Sequence, residues 1–245
     1  MWRLDLGNTR LKLARDAGAV YALTHADPDF DARLERALAP AEAGETAWLA
    51  SVAPEALRRR VEAALDARGL RIHRAETRAE CGGLGIAYAD PARLGVDRFL
   101  ALLAARQRGG DWLLVSLGSA ITVDLLDAAG RHRGGLIGIA PQHQKDALRA
   151  RFPALDRGSG DATTRWAADT PDAVEAGAQR QALGLLLAAF DDARAELGRA
   201  PRVLLGGGDA AAFADALSRR IGVEVEAHDA LVLEGLGVYA AIVGR

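Results

Sequence analysis

The stretch WRLDLGNTRLKLARD, residues 2–16, places an acid, a glycine and short polar residues between two runs of alternating apolar side chains. Such alternation is typical of strands, so the stretch predicts a β-hairpin. Gly7 is expected to take the positive φ of a tight turn, with polar residues after it at the tip. A plain hairpin needs only turn residues, but this one also carries Asp5 and Lys12, an acid and an ammonium group.

A second segment of the same kind, residues 111–138, restarts this pattern, with breaks at Gly118-Ser119 and at Ala129-Gly130. In both halves a three-stranded meander precedes alternating helices and strands, which predicts two similar α/β domains. We expect them to cover residues 1–109 and 110–245. The predicted strands of the first meander are 2–5, 10–15 and 19–24, and the later ones are 46–51, 70–74, 202–208 and 223–227. The main predicted helices are 30–39, 54–69, 97–105, 171–197, 213–220 and 231–242.

Composition narrows the class of protein. The chain has 245 residues, half of them hydrophobic, which is enough for a large core. A net charge of −2 gives no general basic surface for nucleic acid. Cys81 is the one cysteine, so an intrachain disulfide is excluded and a reducing compartment is favoured. No apolar run reaches the ~18 residues of a membrane span, and no basic-then-apolar leader is visible, so we expect a cytoplasmic protein.

Two glycine-containing turns, Asp5–Thr9 and Ser116–Ser119, each join the first and second strands of a half. Backbone N–H groups in such turns form anion-binding nests, and hydroxyl and amide side chains bind phosphate oxygens. Asp5 suits Mg²⁺, which bridges to phosphate. The alternative is two ordinary hairpin turns, and neither a P-loop nor a dinucleotide-binding fingerprint occurs. The matching positions and the acid at a strand end favour phosphate binding.

A third candidate site is Gly95-Val96-Asp97-Arg98, at the start of a mostly apolar helix. The helix dipole stabilises an acid such as Asp97 at this place, which is a sufficient structural reason for it. The dipole disfavours Arg98, and an anionic ligand would compensate. The functional alternative is that Arg98 binds the carboxylate of a substrate and Asp97 its hydroxyl.

Two further segments have structural explanations that do not exclude an additional role in ligand binding. Thr170 is predicted as the N-cap of a helix that has Pro171 in its first turn. Gly206–Gly208 end a strand. This indicates either a tight turn or a place where the flat base of a nucleotide approaches the backbone closely.

The sequence spacing of the other reactive side chains does not assign a chemical role to them. Cys81 has no visible activating partner and is expected to be inert. His132 and His143 show no metal-ligand spacing and are expected on the surface. Asp124 is expected as a polar strand end.

These motifs, in this order, resemble those of the type III pantothenate kinases over most of the chain. DLGNTRLK (5–12) is similar to that family's first phosphate motif, and Tyr88 with GVDR (95–98) to its pantothenate motif. GSAITVD (118–124) is similar to its second phosphate motif. The motifs GGLIGIAP (134–141), TPDAVEAG (170–177), the glycines at 206–208 and LVLEGL (231–236) then fall in the expected order.

The resemblance implies the actin, hexokinase and heat-shock-chaperone fold, with two duplicated ribonuclease H-like domains and ATP in the cleft between them. It implies transfer of the γ-phosphate of ATP to the primary hydroxyl of pantothenate, the first step to coenzyme A, in a homodimer whose pantothenate pocket is completed across the interface. Asp97 would be the general base. The implied pantothenate residues are Tyr88, Gly95, Val96, Asp97, Arg98 and Thr170, and the implied ATP residues are Asp5, Leu6, Gly7, Asn8, Thr9, Arg10, Leu11, Lys12 and Ser119, with Asp5 serving Mg²⁺.

Three positions depart from the family's pattern. Ser116 stands where the family commonly has an aspartate that binds a monovalent cation, K⁺ or NH₄⁺. A neutral hydroxyl is a poorer cation ligand, so a weakened or absent K⁺ dependence is expected. Ser119 replaces the usual threonine and keeps the hydroxyl, and Gln142 replaces a usual glycine.

Two other functions stay open at this stage. One is a kinase of the same fold that acts on another small hydroxy acid. The other is a non-catalytic regulatory or accessory protein on the same scaffold, as in the Bvg accessory factor relatives. The presence of Asp5, Asp97 and Arg98 argues against the second, whereas Ser116 leaves it open.

Overall fold

A computed structural model describes residues 1–16 and 18–244. Contacts between residues divide the chain into two compact units. The first comprises Met1–Gly109, Ala128–Gly134 and the segment from Ala230 onward, and the second comprises Gly110–Asp127 and Gly135–Asp229. The sequence placed a single boundary after residue 109. The structure instead groups two later segments with the first unit.

The secondary-structure elements follow one another in two similar series. The strands are β1 (Trp2–Leu6), β2 (Arg10–Arg15), β3 (Tyr21–Thr24), β4 (Thr46–Ser51), β5 (Arg71–Arg74), β6 (Glu80–Cys81), β7 (Leu84–Gly85), β8 (Trp112–Leu117), β9 (Ala120–Leu126), β10 (His132–Ile139), β11 (Arg202–Gly206) and β12 (Val225–Ala227). The helices are α1 (Phe30–Ala37), α2 (Glu55–Ala67), α3 (Val96–Arg108), α4 (Pro141–Arg151), α5 (Thr170–Leu197), α6 (Ala210–Ile221) and α7 (Leu231–Val243), with short 3₁₀ turns at Pro91–Arg93 and Pro153–Leu155.

The first sheet has the strand order β3-β2-β1-β4-β5. β1 is antiparallel to β2 and parallel to β4, and β4 is parallel to β5. Side chains alternate across a strand, so Trp2, Leu4 and Leu6 enter one core while Arg3 and Asp5 lie on the opposite face. That opposite face is packed by α7, because the Arg3 guanidinium donates from Nη1 to the Leu233 carbonyl at 3.0 Å.

Helix α7 completes the first unit, although it is distant from β1 in sequence. It packs against α3, where a Cβ on Gly235 would lie 1.9 Å from the Leu100 carbonyl oxygen. Only glycine therefore permits this close approach. Tyr239 is buried, its ring meets the Trp48 ring edge-to-face at 5.6 Å, and its hydroxyl accepts from Arg78 Nε at 3.2 Å. The segment is an integral part of the first unit.

The second sheet repeats the topology, with the order β10-β9-β8-β11-β12. β8 is antiparallel to β9 and parallel to β11, which is parallel to β12. Apolar residues of β8, β9 and β11 form a second core with α5 and α6. The two sheets thus have the same strand order and the same orientation in three corresponding strand pairs, and the predicted duplicated α/β fold is confirmed.

The longest helix, α5, has 28 residues and corrects one sequence prediction. Its N-cap is Asp169, whose Oδ1 accepts from the Asp172 backbone N–H at 3.1 Å, and Thr170 is the first helical residue. Both residues are good caps, and the carboxylate one position earlier takes the role. Over residues 1–16 and 18–244, no helix is long and apolar enough to cross a membrane.

Other differences concern buried polar groups. Asp124 is 3% exposed and lies inside β9, where its register partner is Leu114, so it is not a strand end. His132 is also 3% exposed, against the expected surface position, whereas His143 is exposed as predicted. Cys81 is buried, and the loss of water around its thiol raises its pKa, in agreement with the expected inertness.

Candidate active site

Asp5 lies near the carboxyl end of β1, on the face of the first sheet opposite the aliphatic core. Its register partners are Lys12 on β2 and Ala50 on β4. Directly opposed residues of paired strands place their side chains on the same face. The hairpin therefore presents a carboxylate and an ammonium group side by side.

The pKa of Asp5 reflects its burial and the charged groups near it. Its pKa is raised from 3.8 to about 7, first because burial removes water from the carboxyl and second because Asp97 is a nearby negative charge. Lys12 acts in the opposite direction and lowers the pKa. Asp5 on β1 thus lies within electrostatic range of a second carboxyl group, that of Asp97 on α3, and of one cation. Two carboxyl groups beside one ammonium group carry a net negative charge when ionised, and where water is partly excluded such a charge is suited to bind a divalent cation.

Asp97 is held at the first turn of α3. Gly95 is the N-cap, and the Asp97 carboxylate accepts at Oδ1 from the Arg98 backbone N–H at 2.9 Å. This bond satisfies one of the N–H groups left free at a helix start. A Cβ built on Gly95 would lie only 2.5 Å from Asp97 Oδ1, so glycine provides the space that this carboxylate occupies.

Gly95→Ala tests that steric relation. The backbone φ of Gly95 is −52°, which any residue adopts, so the added methyl acts by displacing the Asp97 carboxylate. Because a displacement of about 1 Å at a reacting group costs roughly 10²-fold in rate, we expect kcat to fall by about that factor. The melting temperature should change little. Gly85→Ala, in the same unit with open space around its Cβ, is the control. Full activity of Gly95→Ala would show that this carboxylate tolerates displacement.

Arg98 brings a buried cation to the same helix turn. Its side chain is 7% exposed, and its guanidinium donates from Nη1 to the Tyr88 hydroxyl at 3.3 Å. The guanidinium carbon also lies 5.9 Å from the centroid of the Tyr88 ring. Because a cation shielded from water attracts anions strongly, this pair is a candidate carboxylate site. The first unit therefore unites the predicted residues of β1, β2 and α3 with Tyr88.

The turn after β1 differs from its prediction in one respect. The Gly7 N–H donates to the Arg10 carbonyl at 3.0 Å, which leaves residues 8 and 9 as the exposed tip. Gly7 does not adopt a positive φ, so that prediction is wrong. Leu6 and Leu11 are fully buried in the core and present only backbone to a ligand. A Cβ on Gly7 would meet only ordinary contact at 3.5 Å, so the packing of the protein does not require this glycine.

The second unit carries the matching turn between β8 and β9. Ser116 is exposed and pairs with Thr122 on β9 and Gly206 on β11. No protein atom lies within 4 Å of a Cβ built on Gly118, and its φ is not positive. Gly207 has φ +98°, and a Cβ there would lie 2.2 Å from the Leu117 carbonyl oxygen. The glycine run thus has a packing reason, because it lies against the end of β8.

Ser119 and Thr170 are likewise residues of the second unit. The predicted site residues are therefore divided between the units, with Asp5–Lys12, Tyr88 and Gly95–Arg98 in the first. Sequence reasoning missed His132, which is buried against Tyr88 in the first unit. Its position depends on a contact between distant segments, and no local pattern reveals it.

The donor set around Asp5 fits a magnesium ion. Over the described residues, no cluster of three or more histidine, cysteine or acidic side chains forms a metal cage. Mg²⁺ is usually held by one or two carboxylates, with water and substrate phosphate as the other ligands. A carboxyl group whose pKa is raised by burial and by a second carboxylate has the oxygen ligands and the unbalanced charge for this.

A duplicated sheet of this strand order, with Asp5 near the end of β1 and a glycine turn in each unit, is typical of the actin- and hexokinase-like fold. Solved structures agree on the fold. A protein described as a Baf family transcriptional activator from Campylobacter jejuni has a TM-score of 0.65 at 18% identity, covering 98% of each chain. A protein described as a 2-dehydro-3-deoxygalactonokinase from Sinorhizobium meliloti has a TM-score of 0.54 at 15% identity, covering 98% of this chain and 97% of the other.

Sequence comparison gives the family. The type III pantothenate kinase profile matches residues 2–191. A type III pantothenate kinase of Stenotrophomonas maltophilia strain R551-3 is 40% identical over 243 residues, covering 98% of this chain and 96% of the relative. One of Xanthomonas oryzae pv. oryzae strain PXO99A is 41% identical over 245 residues with the same coverage. The chain belongs to the type III pantothenate kinase family.

Proposed function

We propose that the protein transfers the γ-phosphate of ATP to the primary hydroxyl of pantothenate, which gives 4′-phosphopantothenate, the first intermediate on the way to coenzyme A. Family membership supports this activity. The structural observation that carries it is the pairing of Asp5 with Lys12 on one face of the first sheet, within electrostatic range of Asp97 on α3. Phosphoryl transfer needs little covalent chemistry from the protein, and charges placed in this way supply most of what it needs.

Asp97 is proposed as the general base. Its carboxylate takes the proton of the pantothenate hydroxyl as the oxygen attacks the γ-phosphorus. The bond between that phosphorus and the bridging oxygen breaks, and ADP leaves with the electron pair. The hydrogen bond from the Arg98 backbone N–H fixes one carboxylate oxygen, which orients the other for proton transfer.

The carboxylate of pantothenate is proposed to bind Arg98 and Tyr88. The guanidinium is buried, and its bond to the Tyr88 hydroxyl oxygen leaves the hydroxyl proton to donate to a ligand. A surface depression lined by Tyr88, Ala89, Asp90 and Arg93 adjoins this pair. Gly95, Val96 and Thr170 complete the proposed set of pantothenate residues.

ATP is proposed to bind at the two glycine turns. Asn8, Thr9 and Arg10 are exposed at the first tip, and the open space at Gly118 lets a phosphate approach the backbone of the second turn. Leu6 and Leu11 would contribute backbone groups, and Lys12 its charge. Ser119 would add a hydroxyl in the second unit. Asp5 would hold Mg²⁺, which neutralises charge on the phosphates.

The proposal that activity depends little on monovalent cations rests on Ser116. The side chain is exposed and neutral, so we expect the wild-type rate to be nearly the same in K⁺, NH₄⁺ and a large organic cation. Ser116→Asp adds a carboxylate at this strand end, and we expect activity that rises several-fold with K⁺. Ser116→Asn is the uncharged control of the same shape. Strong K⁺ activation of the wild type would contradict the proposal.

A homodimer is proposed from the exposed edge of the second sheet. Leu136, Ile137 and Ile139 on edge strand β10 are 46%, 68% and 49% exposed. Apolar side chains on an unpaired edge are suited to cover by a second copy. Light scattering of the purified protein would give its molar mass. We also propose the cytoplasm as its location, because its co-substrate ATP is held there.

The decisive experiment is an assay of ADP release with MgATP and a panel of small hydroxy acids, with phosphopantothenate identified by mass. We expect pantothenate to have the highest kcat/KM. A higher value for another acid would assign a different substrate to the same chemistry. A folded protein that makes no phosphopantothenate with K⁺ or NH₄⁺ would contradict the enzyme assignment and favour an accessory role.

A further inference from the structure

A short segment of the chain, Ala128–Gly134, returns to the first unit and lies beside the residues that precede Tyr88. The Gly85 N–H donates to the Gly130 carbonyl at 2.9 Å, and Gly85 forms a parallel bridge with Arg131. Gly130 has φ +87°, and a Cβ there would lie 2.2 Å from the Gly83 carbonyl oxygen. The close approach of the two segments therefore depends on this glycine.

This contact between the two segments places His132 next to Tyr88. The imidazole is 3% exposed, and its ring is nearly parallel to the Tyr88 ring, with centroids 6.0 Å apart and planes inclined by 18°. The Ala87 N–H donates to His132 Nδ1 at 3.5 Å, which is long for a hydrogen bond. The ring contact is thus more substantial than this hydrogen bond.

Tyr88 is in turn the partner of the Arg98 guanidinium, through its hydroxyl at 3.3 Å and its ring at 5.9 Å. The three side chains form a continuous series from β10, through the loop before α3, to the first turn of α3. A tyrosine in a loop has two free torsions, and packing against a flat ring restricts both. His132 is therefore placed to fix the position of the Tyr88 hydroxyl.

We propose that His132 is a positioning residue for the pantothenate carboxylate site, acting through Tyr88 and Arg98. The inference rests on the proposed function, because it assumes that this pair binds the substrate. The proposed role belongs to the flat ring of His132 and does not require the long hydrogen bond to Nδ1. It affects the binding of pantothenate and leaves the binding of ATP and the transfer step unchanged.

Two substitutions separate the ring from the nitrogen. His132→Phe keeps a flat ring and loses the Nδ1 acceptor, whereas His132→Asn keeps an acceptor near the position of Nδ1 and loses the ring. We expect His132→Asn to raise the KM for pantothenate by roughly tenfold, the upper range of a stacking contact. His132→Phe should stay within about twofold of wild type, because the stack survives. The KM for ATP and kcat should be unchanged in both.

The control is His143→Asn, the same change at an exposed histidine of α4. If His132→Asn does not fold, His132→Gln, which also lacks a ring, replaces it. Equal losses in the Asn and Phe variants, or parallel losses in kcat and in the KM for ATP, would indicate a purely structural histidine and overturn the proposal. So would an unchanged KM for pantothenate in the variant without a ring.

A double-mutant cycle tests the route through Tyr88. Tyr88→Phe removes the hydroxyl that His132 is proposed to place. In that background His132→Asn should have little further effect on the KM for pantothenate, whereas independent roles would multiply the two losses. The outcome is distinct from failure of the proposed function. If the wild-type protein forms no phosphopantothenate, the proposed function is wrong. If the wild type is active but the losses of the two substitutions multiply, only the proposed role of His132 is wrong.

Discussion

Asp97→Asn is expected to lower kcat by about 10²- to 10⁴-fold, the range for loss of a general base. The amide cannot take the proton of the attacking hydroxyl. Its oxygen can still accept from the Arg98 backbone N–H, so the start of α3 should stay formed. The KM for both substrates should change much less than kcat. Steady-state kinetics with pantothenate and MgATP, together with the melting temperature, provide the measurement.

The matched control is Asp66→Asn, the same change at an exposed position of α2 in the same unit, and it should be fully active. A folded Asp97→Asn protein with a kcat within about threefold of wild type would exclude Asp97 as the base. Positioning and charge neutralisation would then account for the reaction.

Asp5→Asn should have two opposite effects. Activity should fall by at least about 10²-fold, because the proposed magnesium ligand and a charge at the phosphates are lost. Stability without Mg²⁺ should rise at pH 8. The pKa of Asp5 is raised from 3.8 to about 7 in the folded protein, so keeping this carboxyl ionised there is unfavourable. That shift corresponds to an upper limit of roughly 4 kcal/mol, and partial exposure of the side chain lowers the expected gain to about 1–3 kcal/mol.

The pH dependence follows from the direction of the shift. The folded state binds the Asp5 proton more tightly than the unfolded state, so this group destabilises the wild type increasingly from about pH 4 to pH 7, with no further change above. The stability gain of Asp5→Asn should therefore be small near pH 4, grow across this range and level off above about pH 7. Urea unfolding at pH 4.5, 6 and 8 measures it, with Asp66→Asn as the control for the same substitution at an exposed position. A gain that is the same at all three values would contradict the shift.

Much of the fold could be predicted because local patterns coincide with the contacts that form. The alternation in β1 and β2 and the apolar run of β4 gave strands within one residue of their observed ends. Helix α4 was not predicted. Pro141 and Gln144 are the buried residues of this helix, so it has almost no apolar face from which a helical period can be detected.

The environment of the candidate site was less predictable than its residue types. The turns and the GVDR motif are local, and their sequence indicated them. The burial of Asp124 and of His132, and the inclusion of α7 in the first unit, depend on contacts between distant segments. A residue such as His132 has the same local sequence whether it is exposed or stacked on Tyr88. Periodicity contains no information about that choice.

The place of α7 has a consequence for biosynthesis. On the ribosome, β1 to β5 emerge long before Leu231–Val243 has been translated, and the sheet face that carries Arg3 and Asp5 then lacks its helix. The nascent first unit must wait, partly uncovered, while the whole second unit is synthesised. A premature stop codon shortly before Leu231 would therefore damage the half of the protein that was made first.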